Sequence, residues 1–499
     1  MDVLRLATVL ETMPRERTRL LDNLGRLRRE VGPITPELSD ALADHMRLRH
    51  GDVHEVTSFY SFLQVPVDAV RVCTGPVCDS RGARDRLDGH AIEVPCLGHC
   101  DLAPVVLHGD EVVGGVTYST NGFLLEPDDL RVPPKLSSDD VVERLRGSGL
   151  TGMGGAGFPT WRKWDAVLRE PGPRVVIVNA DEGEPGTIKD RYVMELRPRL
   201  LLEGAVIAAR VVEATELYIY LREEYATARA RLEAALDDYR KAGLLAGLAT
   251  SLVIGAGAYI CGEETAMLES MEGRRGMPRL RPPFPAQSGY LGRPTLINNV
   301  ETLAHVALIL RGDWQPARLW SVSGAVGKPG CYEASLDVTL RELIDGYAGG
   351  LVGEPAAIVP GGAASGILPP AALDVPLTRE ALTEWGCGVG SAAVQVFPKE
   401  YSPLRLLAET MRFFAEESCQ KCTPCRIGNR ALHHVCEELE HGRAAMSRGQ
   451  VEEWLDAMTL TSICGLGQAA PYPVRNAFER WPELFAPLGP APVEEPASA

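Results

Sequence analysis

The sequence predicts a multidomain α/β protein, and three observations carry that expectation. At 499 residues the chain exceeds what one hydrophobic core organises, so three or four domains are expected. Short strand-type runs (Val70–Val72, Ile92–Val94, Arg174–Val178, Glu216–Leu221, Leu252–Ile254) alternate with helical patterns in two separate regions. Of twelve cysteines, eight fall into two constellations far apart in the chain. That is a distribution of metal ligands rather than of a disulfide framework.

Taken in order, residues 1–65 read as helical. Leu4, Leu10, Leu20, Leu21, Leu24 and Leu27 recur near helical spacing among Arg and Glu. Pro33 and Pro36 break the run, and a second helix is expected from Glu37 to Arg49. Residues 66–126, with a third strand at Val105–Leu107 and a helix near Arg81–Leu87, form a small α/β domain. The polar, proline-bearing stretch 127–136 is a linker. Ser137, with Asp140 three residues on, makes a capping arrangement that opens a helix. Residues 137–317 are the second α/β region. Residues 318–400 are rich in β-type residues and glycine, and 401–487 turn helical again. The Pro/Ala/Glu-rich stretch 488–499 is expected to be disordered.

A formal charge of −16 argues against nucleic acid, whose binders carry a basic face. No run approaches the ~18 uncharged apolar residues of a membrane helix, since Glu203 and Arg210 interrupt Leu200–Val212. The N-terminus shows no secretory pattern. A cytoplasmic protein is expected, with any membrane attachment made through a partner chain.

Cys73 and Cys78 precede Cys96 and Cys100, and each pair follows a strand. Four thiolates in two close pairs suit the two irons of a [2Fe–2S] cluster. The common zinc knuckle spaces its cysteines more tightly. Cys419, Cys422 and Cys425, with Cys464 remote, make the C-x2-C-x2-C-plus-one arrangement of a [4Fe–4S] cube. Pro424 places that run in a helix-terminal loop. Cys436 competes as fourth ligand but stands in a plain helical stretch, and the glycines after Cys464 favour Cys464.

Gly152-Met-Gly154-Gly155-Ala-Gly157-Phe158 satisfies G-x-G-x-x-G. A helical pattern precedes it and the clear strand follows it, so it is not the usual dinucleotide βαβ turn. Its glycines still allow close approach to a phosphate or flat ring, with Lys163 nearby. The strand Arg174–Val178 runs into Asn179-Ala-Asp181-Glu182-Gly-Glu184, acids placed where α/β proteins bind ligands. Such acids accept hydrogen bonds from ribose hydroxyls and repel a 2′-phosphate, favouring NAD over NADP. Ion pairing with Lys189 and Arg191 is the plainer alternative. Tyr259, Glu263 and Glu264 repeat the theme, the tyrosine as a stacking surface and the acids at a helix start.

Together Thr151–Trp164, Asn179–Arg191, Gly255–Thr265, Pro282–Gln287, Asn298–Thr302 and Glu417–Arg426 resemble the flavin-bearing NADH-oxidising subunit of respiratory complex I. The first cysteine segment resembles that complex's thioredoxin-like [2Fe–2S] subunit, fused here. The resemblance implies FMN held by Gly152, Gly154, Gly155, Lys163, Asn179, Asp181, Tyr259, Glu263, Asn298 and Asn299. It implies NAD(H) near Phe158, Glu182, Glu184, Glu264 and Phe284. It also implies a ubiquitin-like β-grasp domain over 318–400 and a helical bundle around the cube. Hydride would pass between nicotinamide and flavin without a catalytic side chain, and electrons onward to the clusters.

Met153 stands where many relatives carry Arg, and Arg281 where many carry Lys. Such fusions resemble the diaphorase subunits of soluble NAD-dependent formate dehydrogenases and NAD-reducing hydrogenases. Met153 favours the formate branch, whose partner would be a molybdenum- or tungsten-containing α subunit. A hydrogenase or complex I setting is the alternative, and a flavin-free iron–sulfur scaffold the rival of another class.

Overall fold

The computed structural model describes residues 3–87, 89–127 and 130–489. At its centre lies a parallel sheet in the order Ala249–Ile254, Ala214–Leu221, Arg174–Ala180, Thr295–Asn299. Alternate residues of a strand point to opposite faces, and both faces here are apolar. Val176, Val178, Leu217, Ile219 and Leu296 meet the helices Pro198–Val211 and Val300–Arg311. These two helices touch at Gly204, where a Cβ would lie 1.9 Å from the Leu303 carbonyl oxygen.

Val175, Ile177, Tyr220 and Ile297 face the other way, into a core shared with the N-terminal helices Val3–Glu11, Leu20–Glu30, Pro36–Met46 and His50–Phe59. Residues 3–60 therefore cover the second face of the central sheet. The third helix starts as its sequence dictates, with Thr35 capping and Pro36 in the first turn. It ends at Met46, short of the expected Arg49, because Arg47 takes a left-handed φ of 57°.

A four-stranded sheet carries the first cysteines, in the order Ile92–Val94, Val70–Cys73, Val106–His108, Glu111–Val112. The expected Arg81–Leu87 helix is a single 3-10 turn, Ala83–Arg86. A third sheet runs Pro355–Val359, Ala393–Pro398, Ala317–Gly324, Gly330–Ser335, Thr120–Asn121. Its two central strands are parallel and their outer neighbours antiparallel, the β-grasp arrangement. Thr120 and Asn121 pair with Cys331 and Tyr332. The end of the expected 66–126 unit thus belongs to this sheet instead, a pairing no local pattern announces.

Helices Pro403–Glu417, Thr423–Glu440, Arg448–Thr461 and Tyr472–Arg480 form the C-terminal bundle. Leu488, assigned above to a disordered tail, closes the turn Pro482–Leu488 and is buried. The rest of that tail, from residue 490, lies outside the described residues, as do residues 128 and 129 of the linker. Among the described residues no helix is long and apolar enough to cross a membrane.

Candidate functional site

Three of the singled-out segments leave the central sheet at the carboxyl ends of its strands, where open α/β sheets bind ligands. Asn179–Glu184 follows Arg174–Ala180, Gly255–Glu264 follows Ala249–Ile254, and Asn298–Asn299 ends Thr295–Asn299. The glycine loop closes over them. Gly152 N–H donates to the Phe158 carbonyl at 2.8 Å, and Thr151 bridges Pro159. Gly154 and Gly155 are exposed at its tip. A Cβ on Gly154 would come within 3.3 Å of the Asn299 side chain, and one on Gly157 within 2.8 Å of the Arg379 guanidinium. Loops of the β-grasp domain form the remaining wall, with Ala364 N–H donating to Glu184 at 3.1 Å.

Several of these residues hold one another. Lys163 pairs with Glu264 and donates to the Ile297 carbonyl at 3.0 Å. Asn179 Nδ2 donates to Gly262 O at 2.9 Å. Glu263 caps the helix Glu264–Met271, accepting from Thr265 N and Ala266 N at 3.0 Å each. Asn298 accepts from Trp164 Nε1 at 3.0 Å. Asn299 caps Val300–Arg311 and donates to Asp190 at 2.6 Å. Tyr259 lies against Phe413, and its N–H donates to Glu417 at 2.8 Å.

Phe158 and Phe284 are the loose ends. They are 50% and 53% exposed, unusual for rings of that size and suited to a flat ligand. Asp181 Oδ2 is buried without a hydrogen-bond partner, and burial pushes its carboxyl well above the ordinary range. A ligand hydroxyl is the donor that such an oxygen lacks. Exposed glycine backbone, exposed ring faces and an unpaired acceptor fit a flavin nucleotide.

Glu182 departs from expectation. It is buried, and its oxygens accept from Asp190 N–H at 2.8 Å, Arg191 N–H at 3.0 Å and Tyr225 O–H at 3.0 Å. It anchors the start of the helix Lys189–Leu196, so its carboxylate does not face a nucleotide. Ion pairing elsewhere in the motif is also real: Lys189 meets Asp190 and Glu301, and Arg191 meets Asp101. Met153 is buried, its N–H donating to Thr302 Oγ1 at 2.9 Å. Arg281 stands 3.9 Å from Glu263.

The first four cysteines converge. Cys73 neighbours Cys78 and Cys96, and Cys96 neighbours Cys100. All four are buried. Gly98 N–H donates to Cys96 Sγ at 3.4 Å, and Gly186 N–H of the acidic loop donates to Cys100 Sγ at 3.2 Å. In the second set Cys425 has Cys422, Cys464 and Cys419 as electrostatic neighbours. Burial pushes the Cys425 thiol up to about 12, so a metal that binds there must displace a tightly held proton. Cys464 opens the turn Gly465–Ala469, and a Cβ on Gly467 would sit 2.9 Å from Cys425 Cβ. Cys436 is buried within Thr423–Glu440, in the core shared by the C-terminal helices and away from these four. Among the described residues no group of three or more such donors is arranged to hold a single metal ion.

Comparison with known proteins bears on each part. Residues 6–91 match the thioredoxin-like [2Fe-2S] ferredoxin family, 145–308 the Nuo51 FMN-binding domain, and 405–487 the NADH-ubiquinone oxidoreductase-F iron-sulfur binding region. The first match ends before Cys96 and Cys100. The NADH-quinone oxidoreductase-F protein of Aquifex aeolicus is 39% identical over 368 residues, covering 70% of this chain and 85% of that protein. Its namesake in Mycobacterium bovis is 42% identical over 385 residues, covering 71% and 85%. The chain belongs to the NADH-quinone oxidoreductase-F family. This chain carries FMN-binding, [2Fe–2S] and [4Fe–4S] domains, and NADH is the family's substrate.

Chains of solved NAD+-reducing [NiFe]-hydrogenase add the N-terminal part. The H2-reduced form superposes with a TM-score of 0.85 at 30% identity, over 96% of this chain and 94% of that one. The air-oxidised form gives 0.85 at 31%, over 97% and 96%. These likenesses support the hydrogenase or complex I setting over the formate one that Met153 suggested.

Arg222, Glu224, Glu417 and the Gly361–Ser365 loop escaped the sequence reading. Arg222, Glu224 and the Gly361–Ser365 loop come from segments without a motif of their own. Only Glu417, two residues before Cys419, lies inside one of the six family-like segments.

Proposed function

We propose that this chain is the NAD(H)-facing diaphorase subunit of a multi-subunit oxidoreductase, trading electrons with a partner that activates hydrogen. The carrying observation is the convergence on one sheet edge of the glycine loop, the acidic loop, Tyr259 and the Asn298–Asn299 turn, with both cysteine quartets adjoining. When bound, FMN supplies the two-electron to one-electron step between nicotinamide and iron–sulfur clusters.

The chain's own residues bind and orient. Backbone at Gly152, Gly154 and Gly155 admits the flavin closely, and Asp181 accepts from a hydroxyl. Asn179, Tyr259, Glu263, Asn298 and Asn299 shape the floor, and Lys163 with Glu264 closes one side. Phe158 and Phe284 cover the nicotinamide nucleotide and exclude water, and Glu184 stands at its ribose. Cys73, Cys78, Cys96 and Cys100 hold the [2Fe–2S] cluster, and Cys419, Cys422, Cys425 and Cys464 the [4Fe–4S] cluster.

A molybdenum or tungsten formate-oxidising partner is the second reading and rests on Met153. Nickel against molybdenum or tungsten in the co-purifying large subunit separates the two. The test of the subunit's own role uses the isolated chain with confirmed FMN and about six irons. It should oxidise NADH with ferricyanide and do nothing with hydrogen or formate. A flavin-replete chain without NADH–ferricyanide activity overturns the reading.

A further inference from the structure

The β-grasp wall touches the glycine loop at two points. A Cβ on Gly155 would stand 3.9 Å from the Gly390 carbonyl carbon. Gly157, in the left-handed region at φ 63°, lies under the Arg379 guanidinium, so that a Cβ there would come within 2.8 Å of Nη2. Arg379 is the first residue of the short helix Arg379–Glu384, which Thr378 caps by accepting from Ala381 N. Its backbone is thereby fixed, while the residue itself is exposed. The next residue along the loop from Gly157 is Phe158, the half-exposed ring assigned above to the nicotinamide nucleotide. A cation from one domain and a ring from another therefore stand side by side at the mouth of the cleft.

The other cations around the site already have partners. Lys163 pairs with Glu264, Lys189 with Asp190 and Glu301, and Arg279 with Glu269 and Glu272, while Arg281 stands 3.9 Å from Glu263. Among the described residues the Arg379 guanidinium has neither an ion pair nor a hydrogen-bond partner. NAD(H) brings a doubly negative diphosphate into a cleft whose own side chains include the acids Asp181, Glu184, Glu263 and Glu264. A polyanion entering such a cleft is favoured by a cation that is not yet neutralised. The planar fork of a guanidinium meets phosphate oxygens in pairs, which an ammonium cannot do.

We propose that Arg379 binds the diphosphate of NAD(H), clamping the dinucleotide between the β-grasp domain and the glycine loop. The inference rests on the function proposed above and names a residue that sets affinity there. With the nicotinamide ring on Phe158 and a ribose at Glu184, the phosphates of the same dinucleotide fall to the cation next to Phe158. Because the nucleotide's ring and its phosphates are then held by different domains, Arg379 contributes to binding and leaves the hydride step to the flavin. Gly157 is part of the device, since a side chain there would displace the guanidinium.

The experiment bleaches the flavin of the FMN- and cluster-loaded chain anaerobically with NADH and, in parallel, with reduced N-benzylnicotinamide, a hydride donor without phosphate. The dependence on NADH concentration gives a dissociation constant and a limiting rate. Arg379→Gln should raise the NADH dissociation constant about tenfold, the lower end for losing a charged hydrogen bond at an exposed position. The limiting rate should stay as in the wild type, and so should bleaching by the phosphate-free donor. Arg379→Lys, which keeps the charge without the fork, should fall between. Added salt should weaken NADH binding more in the wild type than in Arg379→Gln. Arg379→Met is a second neutral variant with a stem to cover the loop, should Arg379→Gln fail to fold. A wild-type NADH dissociation constant in the neutral variants overturns the proposal. Equal slowing with both donors also overturns it, because a guanidinium that only props the glycine loop would give that result. Loss of FMN would assign the guanidinium to the flavin's phosphate, and weakened binding of NADPH alone to a 2′-phosphate; either result overturns it too. Absent bleaching by NADH in the wild type would instead overturn the NAD(H)-facing reading beneath it.

Discussion

The two cysteine quartets of this chain differ in support, in exposure and in the source of their hydrogen bonds. The first sits on loops of a four-stranded sheet, with all four sulfurs buried and the acidic loop of the nucleotide site laid across them. The second sits at helix termini, and its Cys422 is the one cysteine of the eight that is not buried. On the helices that carry this set, Ile427, five residues after Cys422, is 40% exposed, and Leu460, four residues before Cys464, is 78% exposed. Donors to the first set are main-chain N–H groups, whereas the second set adds the Ser418 and Asn429 side chains, which reach Cys425 at 3.3 Å each, to main-chain N–H groups at Cys419 and Cys464. A cluster wrapped by the chain's own domains is insulated. One that leaves a ligand half open next to apolar surface faces the outside of the subunit, where a partner's acceptor would stand.

The largest effect should come from removing that open ligand. Cys422→Ser should abolish the cube's signal in low-temperature electron paramagnetic resonance and leave the [2Fe–2S] signal in place. Cys436→Ser should leave both. If instead Cys436→Ser destroys the cube and Cys464→Ser spares it, the fourth ligand has been misassigned.

A smaller effect tests how the first quartet is anchored. Asp79, directly after Cys78, meets Arg84 at 2.7 Å, Arg405 at 3.1 Å and Tyr401 Oη at 2.7 Å. Glu409 takes Arg84 and Arg405 at 2.9 Å and Arg412 at 2.8 Å, and Arg412 donates on to the Thr74 carbonyl at 2.9 Å. The network thus fastens the first cluster's loops to the helix that leads into the second. Glu409 is 4% exposed, so Glu409→Gln leaves three guanidiniums facing one neutral amide. Breaking a buried pair costs about 3–5 kcal/mol. The half-exposed Arg84 and Arg405 lower the expectation to about 2 kcal/mol. Calorimetry should show that loss, and proteolysis should release the first domain before the C-terminal bundle. Equal resistance of the two would deny the network its anchoring role.

What the sequence showed of all this follows a physical line. Both quartets were legible because thiolate spacing is local, and the sheet-edge motifs because glycines and acids cluster at strand ends. That Cys464 rather than Cys436 stands near Cys425 was legible too, since glycines after a cysteine signal close approach. Partners brought from afar were not. Thr120 pairing with Cys331, the N-terminal helices covering the central sheet, and Arg379 against the glycine loop all depend on contacts more than a hundred residues apart. Glu182 misled for a related reason. At a strand end it reads as a ligand-facing acid, but the helix Lys189–Leu196 begins close enough to claim it, and bare N–H groups at a helix start attract a carboxylate.

The finest distinction lies in the donors. Hydrogen bonds to cluster sulfurs stabilise the reduced, more negative state and raise its potential. In the first quartet the donors are backbone groups that substitution cannot delete. In the second, the Ser418 and Asn429 side chains add to main-chain donors at Cys419 and Cys464, so part of the potential is adjustable one residue at a time. Ser418→Ala removes the hydroxyl at Cys425 and leaves the Asn429 contact in place. A hydrogen bond is worth about 1 kcal/mol net, and a one-electron couple moves about 59 mV per tenfold change in its equilibrium constant. Together these give a fall of about 40 mV for the cube. An electron paramagnetic resonance titration of the purified chain reads both clusters in one sample, which makes the unmoved [2Fe–2S] potential the internal control. Equal shifts in both would mean that the variant has disturbed the cavity wall they share, where Cys96 and Glu417 meet. No shift in either would mean that the hydroxyl points away from the sulfur once the cluster is in place, and that the contrast between main-chain and side-chain donors has no consequence for potential.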